Sequence, residues 1–323
     1  MGLTVSSIIS EYGAYYEKSG QNMSRILKMI TQDTETTKLM TQIKTDETIF
    51  KLAQGTINDL IQPFQKAFTA KGTAVFTPNK IELQHMKVDF EIYPDDIEAT
   101  WLGFLASENL SRKEWPLVRF LLEQYLLPKM RENLELKVAF KGVQKDPTTD
   151  VAGNPEDVMN GIEKLLTLGI AAGTINQVTG IGALNANTIF DQVEAFHDGI
   201  SQVYQGVPMV VCMSPAWRKA YFRDKRANGF YQISGANQID DSIDFTPHKV
   251  AGLPSMSGSN ILWATTKENM LHITKKGQNA GKFLIEESKR CVSIMTDWWE
   301  AIGFGINEIV WTTAGTKSGS GSN

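Results

Sequence analysis

The spacing of apolar positions changes repeatedly along the chain, and each change marks a different kind of element. In the opening segment Val5, Ile8, Ile9, Tyr12 and Tyr15–Tyr16 recur at helical spacing. A stretch rich in Thr, Gln, Lys and Asp follows from Thr31 to Thr48, with Thr34, Thr36, Thr37, Thr41 and Thr45 and little apolar content. So few apolar residues cannot offset the entropy of ordering the segment. Residues 1–70 therefore read as a polar, mostly helical arm whose apolar side chains need a partner surface.

The period then falls to two. Ile81-Glu82-Leu83 alternates, and Lys87 to Ile92 alternates strictly, which gives strands with one apolar and one wet face. Pro78-Asn79 signals a turn before the first of these strands, and Pro94 stops the second. The spacing predicts an extended β-hairpin within residues 71–110, a ribbon that is marginal without neighbours to cover it. Helical spacing returns from Ser111 to Met130, where Val118, Leu121, Leu122, Tyr125 and Leu126 form a wide stripe. Pro116 fits its first turns, and Pro128 should end or kink it. Leu134, Leu136, Val138 and Phe140 then alternate with charges and predict a strand, ahead of a turn-rich loop at Asp146–Asp150.

From about residue 151 the pattern is that of a compact mixed module. Asn154-Pro155-Glu156-Asp157 has the cap, proline and acids of a helix start, with Val158, Ile162, Leu165 and Leu166 as the buried face. Thr188 with Asp191 resembles a capping box for a helix carrying Ile189, Val193, Phe196, Ile200 and Val203. Met209–Met213 is continuously apolar, as a central strand would be. Ser214-Pro215 opens a helix with Trp217, Tyr221 and Phe222. Later strands are expected at Ile261–Ala264, Met270–Ile273, Val292–Met295 and Ile306–Trp311, and the Gly/Ser tail over 315–323 should be flexible.

Composition narrows the function classes. The 323 residues are 42% hydrophobic and 21% charged, as in a folded protein, and the net charge of −4 gives no overall basic excess for gripping nucleic acid. The two cysteines, Cys212 and Cys291, sit in apolar strand-like text and read as small buried hydrophobes in a reducing compartment. No apolar run approaches the length that spans a bilayer, and the start lacks the features of a signal peptide, so synthesis in the cytoplasm and no membrane partner are expected.

Local chemical signatures are poor. Gly180-Ile181-Gly182 begins like a dinucleotide loop, but Asn185 stands at the third glycine's place. Gly277–Lys282 is one residue short of a phosphate loop and is followed by Phe283. His85, His197, His248 and His272 are widely separated, without metal-ligand spacing. Asp95-Asp96 and Asp240-Asp241 read as turn or solvated acids. No catalytic, cofactor-binding or metal-binding residue is assigned, and no enzyme activity is expected. One basic cluster stands out: Arg218, Lys219, Arg223, Lys225 and Arg226, interleaved with Trp217, Tyr221 and Phe222. It reads either as a nucleic-acid face or as an amphipathic helix with its cations in water or across a subunit contact.

The order of elements is itself a signature. A polar arm, a charged ribbon, a long helix, a compact module and a returning strand resemble the major capsid proteins of tailed bacteriophages, which share the fold named after phage Hong Kong 97. Val210–Pro215 with its aromatic and basic helix, Val250–Pro254 followed by Ile261–Ala264, and Trp298–Gly305 resemble segments of that family. The resemblance implies an α+β capsid fold with an N-terminal arm (1–70), an extended loop (71–110), a peripheral domain with the spine helix (111–150), an axial domain (151–290) and closing strands (291–314). It further implies self-assembly through hexamers and pentamers into an icosahedral shell around double-stranded DNA. Portal, scaffolding or decoration proteins would be partners, and the virion would be its destination. Some members crosslink a loop lysine to a neighbour's asparagine; Lys80 and Lys87 lie in the expected loop, but no partner can be matched and the chemistry is not carried over. An encapsulin-like compartment, and an enzyme whose site is scattered in sequence, are the alternatives.

Overall fold

The computed structural model describes residues 34–107, 109–113, 115–228, 241–276 and 283–315. The helical spacing at Val5–Tyr16, the turn at Gly277–Lys282 and the tail after Gly315 lie outside the described residues.

In chain order the elements begin with α1 (Glu35–Lys38), β1 (Thr41–Thr45), β2 (Ile49–Ile57), β3 (Ala74–Glu82), β4 (Gln84–Ile92) and α2 (Pro94–Ser107). A long helix, α3, runs over 117–138, and α4 follows (Ile162–Ala171). Then come β5 (Asn176–Gln177), α5 (Ile189–Asp198), α6 (Gln202–Gln205), β6 (Val210–Met213) and α7 (Pro215–Ala227). The chain closes with β7 (Lys249–Gly252), β8 (Trp263–Thr265), β9 (Met270–Lys275), β10 (Leu284–Ser288), β11 (Cys291–Phe304) and β12 (Trp311–Thr312).

Three sheets organise these elements. The first has the order β1-β9-β11-β10, with β4 also paired to β11. The second has the order β5-β12-β8-β6-β7, and β6 is central as its unbroken apolar text predicts. The third is the two-stranded ribbon β2-β3. β11 unites the first sheet: residues 292–300 pair with β4 and residues 300–304 with β9.

The ribbon is displaced from its expected place. Residues 71–110 do not form one hairpin; β3 pairs back with β2, from Ile49↔Glu82 to Ile57↔Ala74, and β4 joins the main sheet. Residues 34–57 are correspondingly not a helical arm. Thr41–Thr45 is an edge strand running parallel to β9, since threonine's branched side chain suits an extended backbone better than a helix. Pro78 sits inside β3 opposite Ala53, which a two-stranded ribbon tolerates because half its backbone groups have no neighbour. Pro94 does end β4, and it opens α2.

The expected strand at Leu134–Phe140 is instead the last turn of α3. This helix contains two π-turns, Leu122–Leu126 and Leu134–Val138, around the α-segment Leu127–Asn133. Leu127 N–H bonds Leu122 O across the first π-turn, just before Pro128, which has no N–H to give. The proline is therefore carried where the hydrogen-bond ladder already shifts, and the helix continues past it. The second π-turn brings Glu135 inward, where it is buried. Its carboxylate accepts from Thr36 N–H (3.1 Å), Thr36 Oγ1 (2.7 Å) and Ser255 N–H (3.3 Å), tying α1 to the helix.

The end of α3 meets α4 through glycine. Asn154–Asp157 forms a separate 3-10 turn with a capping box, and α4 starts later, at Ile162. Between them, Gly161 N–H bonds Gly142 O at 2.9 Å, and a Cβ on Gly161 would lie 2.5 Å from Phe140 O and 2.6 Å from Val138 O. Gly161→Ala should cost about 1–3 kcal/mol, read as a lower denaturant midpoint; an unchanged midpoint would show that the backbones separate freely.

Two cores result. One joins α2, α3, α4 and the large sheet around Trp101, Leu122, Leu127, Phe140 and Ile162. The other packs α5 and α7 on the second sheet around Val193, Phe196, Val211, Tyr221 and Trp311. The expected box at Thr188 makes no side-chain cap; Asp224 of α7 accepts from Phe190 N–H at 2.9 Å and caps α5 from outside. The final strand also differs: Asn307–Ile309 is a 3-10 turn and only Trp311–Thr312 is extended. Buried Asn269 sets that bend, accepting from Ile306 N–H (2.6 Å) and donating to Ile306 O (2.8 Å). Both cysteines are free and buried, and burial pushes the Cys212 thiol far up.

Candidate assembly interface

Among the described residues, exposed apolar side chains gather on the ribbon loop, and exposed charges gather on the helices α5 and α7. Leu83, whose N–H bonds Thr48 O at 2.9 Å, anchors the ribbon's root in a small core with Ile81, Leu271, Ile273 and Ala301. From that root β2 and β3 run out to a loop over residues 58–73. The loop holds its own polar groups: Gln62 Nε2 donates to Thr69 O (2.8 Å), Lys71 Nζ to Ile61 O (2.6 Å), and Gln65 Nε2 to Thr69 Oγ1 (2.5 Å). Gly72 supplies the left-handed φ of 94° that turns the chain back. The apolar side chains are left outside: Ile61 is 91% exposed, Phe64 92% and Phe68 96%. A loop braced by these three side-chain hydrogen bonds, with Ile61, Phe64 and Phe68 in water, presents an apolar surface suited to a partner.

The basic cluster divides in two. Lys225 turns inward, buried, with its Nζ 2.6 Å from Asp244 Oδ1. Arg218 pairs with Asp241 and lies over the Phe222 ring at 5.0 Å. Tyr221 fills the core, and Trp217 Nε1 donates to Asn260 Oδ1 at 3.0 Å. Lys219, Arg223 and Arg226 stay exposed beside an open groove of about 440 Å³, edged by Pro215, Phe222 and Gly252. The amphipathic reading of this helix thus holds for buried Tyr221 and for Lys219, Arg223 and Arg226, which stay in water, whereas Lys225 departs from it by turning inward.

The histidines serve structure. His85 stacks on Trp299 at 4.5 Å and contacts Asp297 at 2.9 Å. His197 and His248 meet ring to ring at 4.8 Å; burial first, then the neighbouring His197, pushes His248 down to about 4. His248 Nδ1 accepts from Met209 N–H at 3.2 Å, consistent with a neutral ring. His272 Nε2 lies 2.5 Å from Glu300 Oε1 in a buried pair. Among the described residues no group of three or more His, Cys, Asp or Glu could hold a metal ion. Asp95 and Asp96 occupy the first turn of α2, where the helix dipole favours acids, and Gly180 and Gly182 take left-handed φ in a loop that follows the short β5. Lys80 pairs across the ribbon with Lys51, and Lys87 contacts Asp89 at 2.6 Å. Among the described residues no helix is long and apolar enough to cross a membrane.

The alternation of β4 and the basic helix were legible in the sequence, but the ribbon itself is β2–β3 and not the expected hairpin around Ile81–Ile92. Sequence reasoning missed the loop tip, whose Ile61, Phe64 and Phe68 are scattered through polar text in a stretch read as arm. The signal available was the absence of any period there, which a self-packing helix or strand would have shown.

No protein-family model matches the chain, and no curated protein matches it in sequence. Its fold matches solved structures over nearly their full length. It is similar to a chain of the satellite phage P4 procapsid including size determination (Sid) protein, at 14% identity and a TM-score of 0.59, covering 95% of this chain and 97% of that one. It is similar to the capsid of the empty GTA particle at 10% identity and a TM-score of 0.54, covering 87% and 90%. It is also similar to the holo-SrpI encapsulin complex from Synechococcus elongatus PCC 7942 at 9% identity and a TM-score of 0.50, covering 92% and 97%. The mixed helix-and-sheet architecture, with its ribbon, long helix and second sheet module, is the fold of tailed-phage major capsid proteins.

Proposed function

We propose that this chain is the major shell subunit of a tailed phage, with many copies assembling through hexamers and pentamers into a closed icosahedral particle around double-stranded DNA. The observation that carries the reading is the ribbon loop, which is ordered by its own polar side chains yet leaves Ile61, Phe64 and Phe68 in water. Such a loop gains its stability only on another surface, and in an assembly of identical copies every subunit both extends a loop and receives one. The work is structural, and no catalytic residue, cofactor or metal is assigned. Portal, scaffolding and decoration proteins would join the shell, assembly would take place in the host cytoplasm, and the virion would be the final location.

The similarity to an encapsulin supports a second reading, a shell that encloses a protein cargo. Electron microscopy of the expressed chain tests both. Closed icosahedral particles are expected, and a chain that stays monomeric at every concentration would sink both readings. Nuclease-protected DNA in particles from the native source would favour the phage reading, whereas a single co-purifying enzyme would favour the compartment.

A further inference from the structure

Two helices of the same module carry matched stripes of opposite charge. On α5, Asp191, Glu194 and Asp198 fall at i, i+3 and i+7, on the side opposite the buried Ile189, Val193 and Phe196. On α7, Lys219, Arg223 and Arg226 fall at i, i+4 and i+7, on the side opposite the buried Tyr221 and Asp224. Each stripe spans eight residues, seven rises or about 10 Å of helix. The charges thus recur over equal lengths.

Among the described residues no salt bridge to another element neutralises either stripe. Among the described residues, Lys219, Arg223 and Arg226 form no ion pair, and neither do Asp191 and Glu194; Asp198 touches only the ring of its neighbour His197, at 3.4 Å. Glu194 reports the strain on the acidic side. Partial burial raises its carboxyl above the ordinary value, and the charges of Asp191, Asp244 and Asp198 raise it further against the opposing effect of Lys225. The two helices pack on each other through Phe190 and Tyr221, with ring centroids 5.7 Å apart, so both stripes are fixed on one rigid module.

We infer that the acidic stripe of α5 in one copy docks against the basic stripe of α7 in the next, so that this module joins neighbours head to tail around a ring. A contact between two different patches of the same chain is heterologous, and it closes when the rotation per copy divides a full turn. Charge complementarity of this kind fixes the register and rejects wrong orientations. A nucleic-acid role for α7 would use the basic stripe and leave the acidic stripe of α5 without a function. The pairing accounts for both. It rests on the shell reading and assigns one of its contacts.

The test uses the full chain and charge reversal. One variant carries Lys219→Glu, Arg223→Glu and Arg226→Glu. A second carries Asp191→Lys, Glu194→Lys and Asp198→Lys. Circular dichroism and the melting temperature establish that each is folded, and particles are counted by electron microscopy and sedimentation. Each variant alone should give at least about tenfold fewer particles than the unaltered chain, because like charges then face each other. Co-expression of the two should restore six-membered rings, read by sedimentation and electron microscopy, since an all-acidic copy and an all-basic copy can alternate around them; a five-membered ring keeps one like-charged contact, so closed particles are not required to return. A folded variant that assembles normally by itself overturns the pairing, and so does co-expression that yields no more six-membered rings than either variant alone. Loss of DNA retention by the first variant with normal assembly assigns α7 to nucleic acid instead. An unaltered chain that never forms particles overturns the shell reading, and this contact falls with it.

Discussion

Glu300→Ala should destabilise the folded chain by about 3–5 kcal/mol, because it leaves a buried cation without its partner. Glu300 and His272 are 7% and 8% exposed, and the Glu300 carboxylate accepts from His272 Nε2 at 2.5 Å and from Trp298 Nε1 at 2.9 Å. Gln42 of β1 fixes the other side of the ring. Its Nε2 donates to Thr37 O at 3.0 Å, which turns its Oε1 toward His272 Nδ1. An oxygen thus faces each ring nitrogen of His272, an arrangement that favours the doubly protonated ring. The network therefore joins β1, β9 and β11 at one charged point.

The pH dependence has a definite sign. Burial alone would raise the Glu300 carboxyl; the charge of His272 and the hydrogen bonds from His272 and Trp298 outweigh it and leave it below its ordinary value of 4.5. The unfolded chain then binds this proton more readily than the folded one. The stability contributed by this carboxylate is complete above pH 4.5 and is lost as the pH falls below it toward the folded-state value. Denaturant unfolding of the unassembled chain at several pH values measures it. The gap between the original chain and the variant should be widest near neutrality and should narrow in acid. A gap that stays constant would show that Glu300 acts through packing and not through charge.

The parts of the fold legible in the sequence are those whose signal is local. Met209–Met213 announces a central strand because a strand covered on both faces has no polar alternation to keep, and Lys87–Ile92 announces one wet face by strict alternation. The errors arise where a distant partner decides. Leu134 to Phe140 alternates like a strand, yet Glu135 within it is held by Thr36 and Ser255, which lie far away in the chain, and their hydrogen bonds make the inward-facing π-turn worthwhile. Thr41–Thr45 looks like solvated arm until β9 offers it a parallel edge, and Gln42 then reaches His272. Asp224 could not be seen as the cap of α5, because its distance from Phe190 is set by tertiary packing. At the candidate interface the basic helix was visible, but the division of its cations was not. Lys225 is paired internally and Lys219, Arg223 and Arg226 are left for a partner only because Asp244 and Asp241 fold back onto α7.

The loop tip carries the second large expected effect. Replacing Ile61, Phe64 and Phe68 by serine should leave the subunit folded and unable to form particles. All three side chains are more than nine-tenths exposed, so none contributes core packing to a lone copy. Their removal should move the chain's own stability by only about 0.5 kcal/mol. In an assembly each side chain that becomes buried is worth about 1.5–3 kcal/mol, or roughly 5–9 kcal/mol for the three together. The ordering cost of the loop is already partly met, because Gln62, Gln65 and Lys71 hold its backbone turned before any partner arrives. Most of that apolar gain is therefore available to the contact. Since about 1.4 kcal/mol is a factor of ten, losing it should raise the subunit concentration needed for assembly at least about a thousandfold. Sedimentation across a concentration series reads this directly, with circular dichroism as the control for folding. Particles forming at the original concentration would mean that the tip stays in water in the assembled shell. The ribbon would then contribute through its strand edges, which pair with no other strand among the described residues.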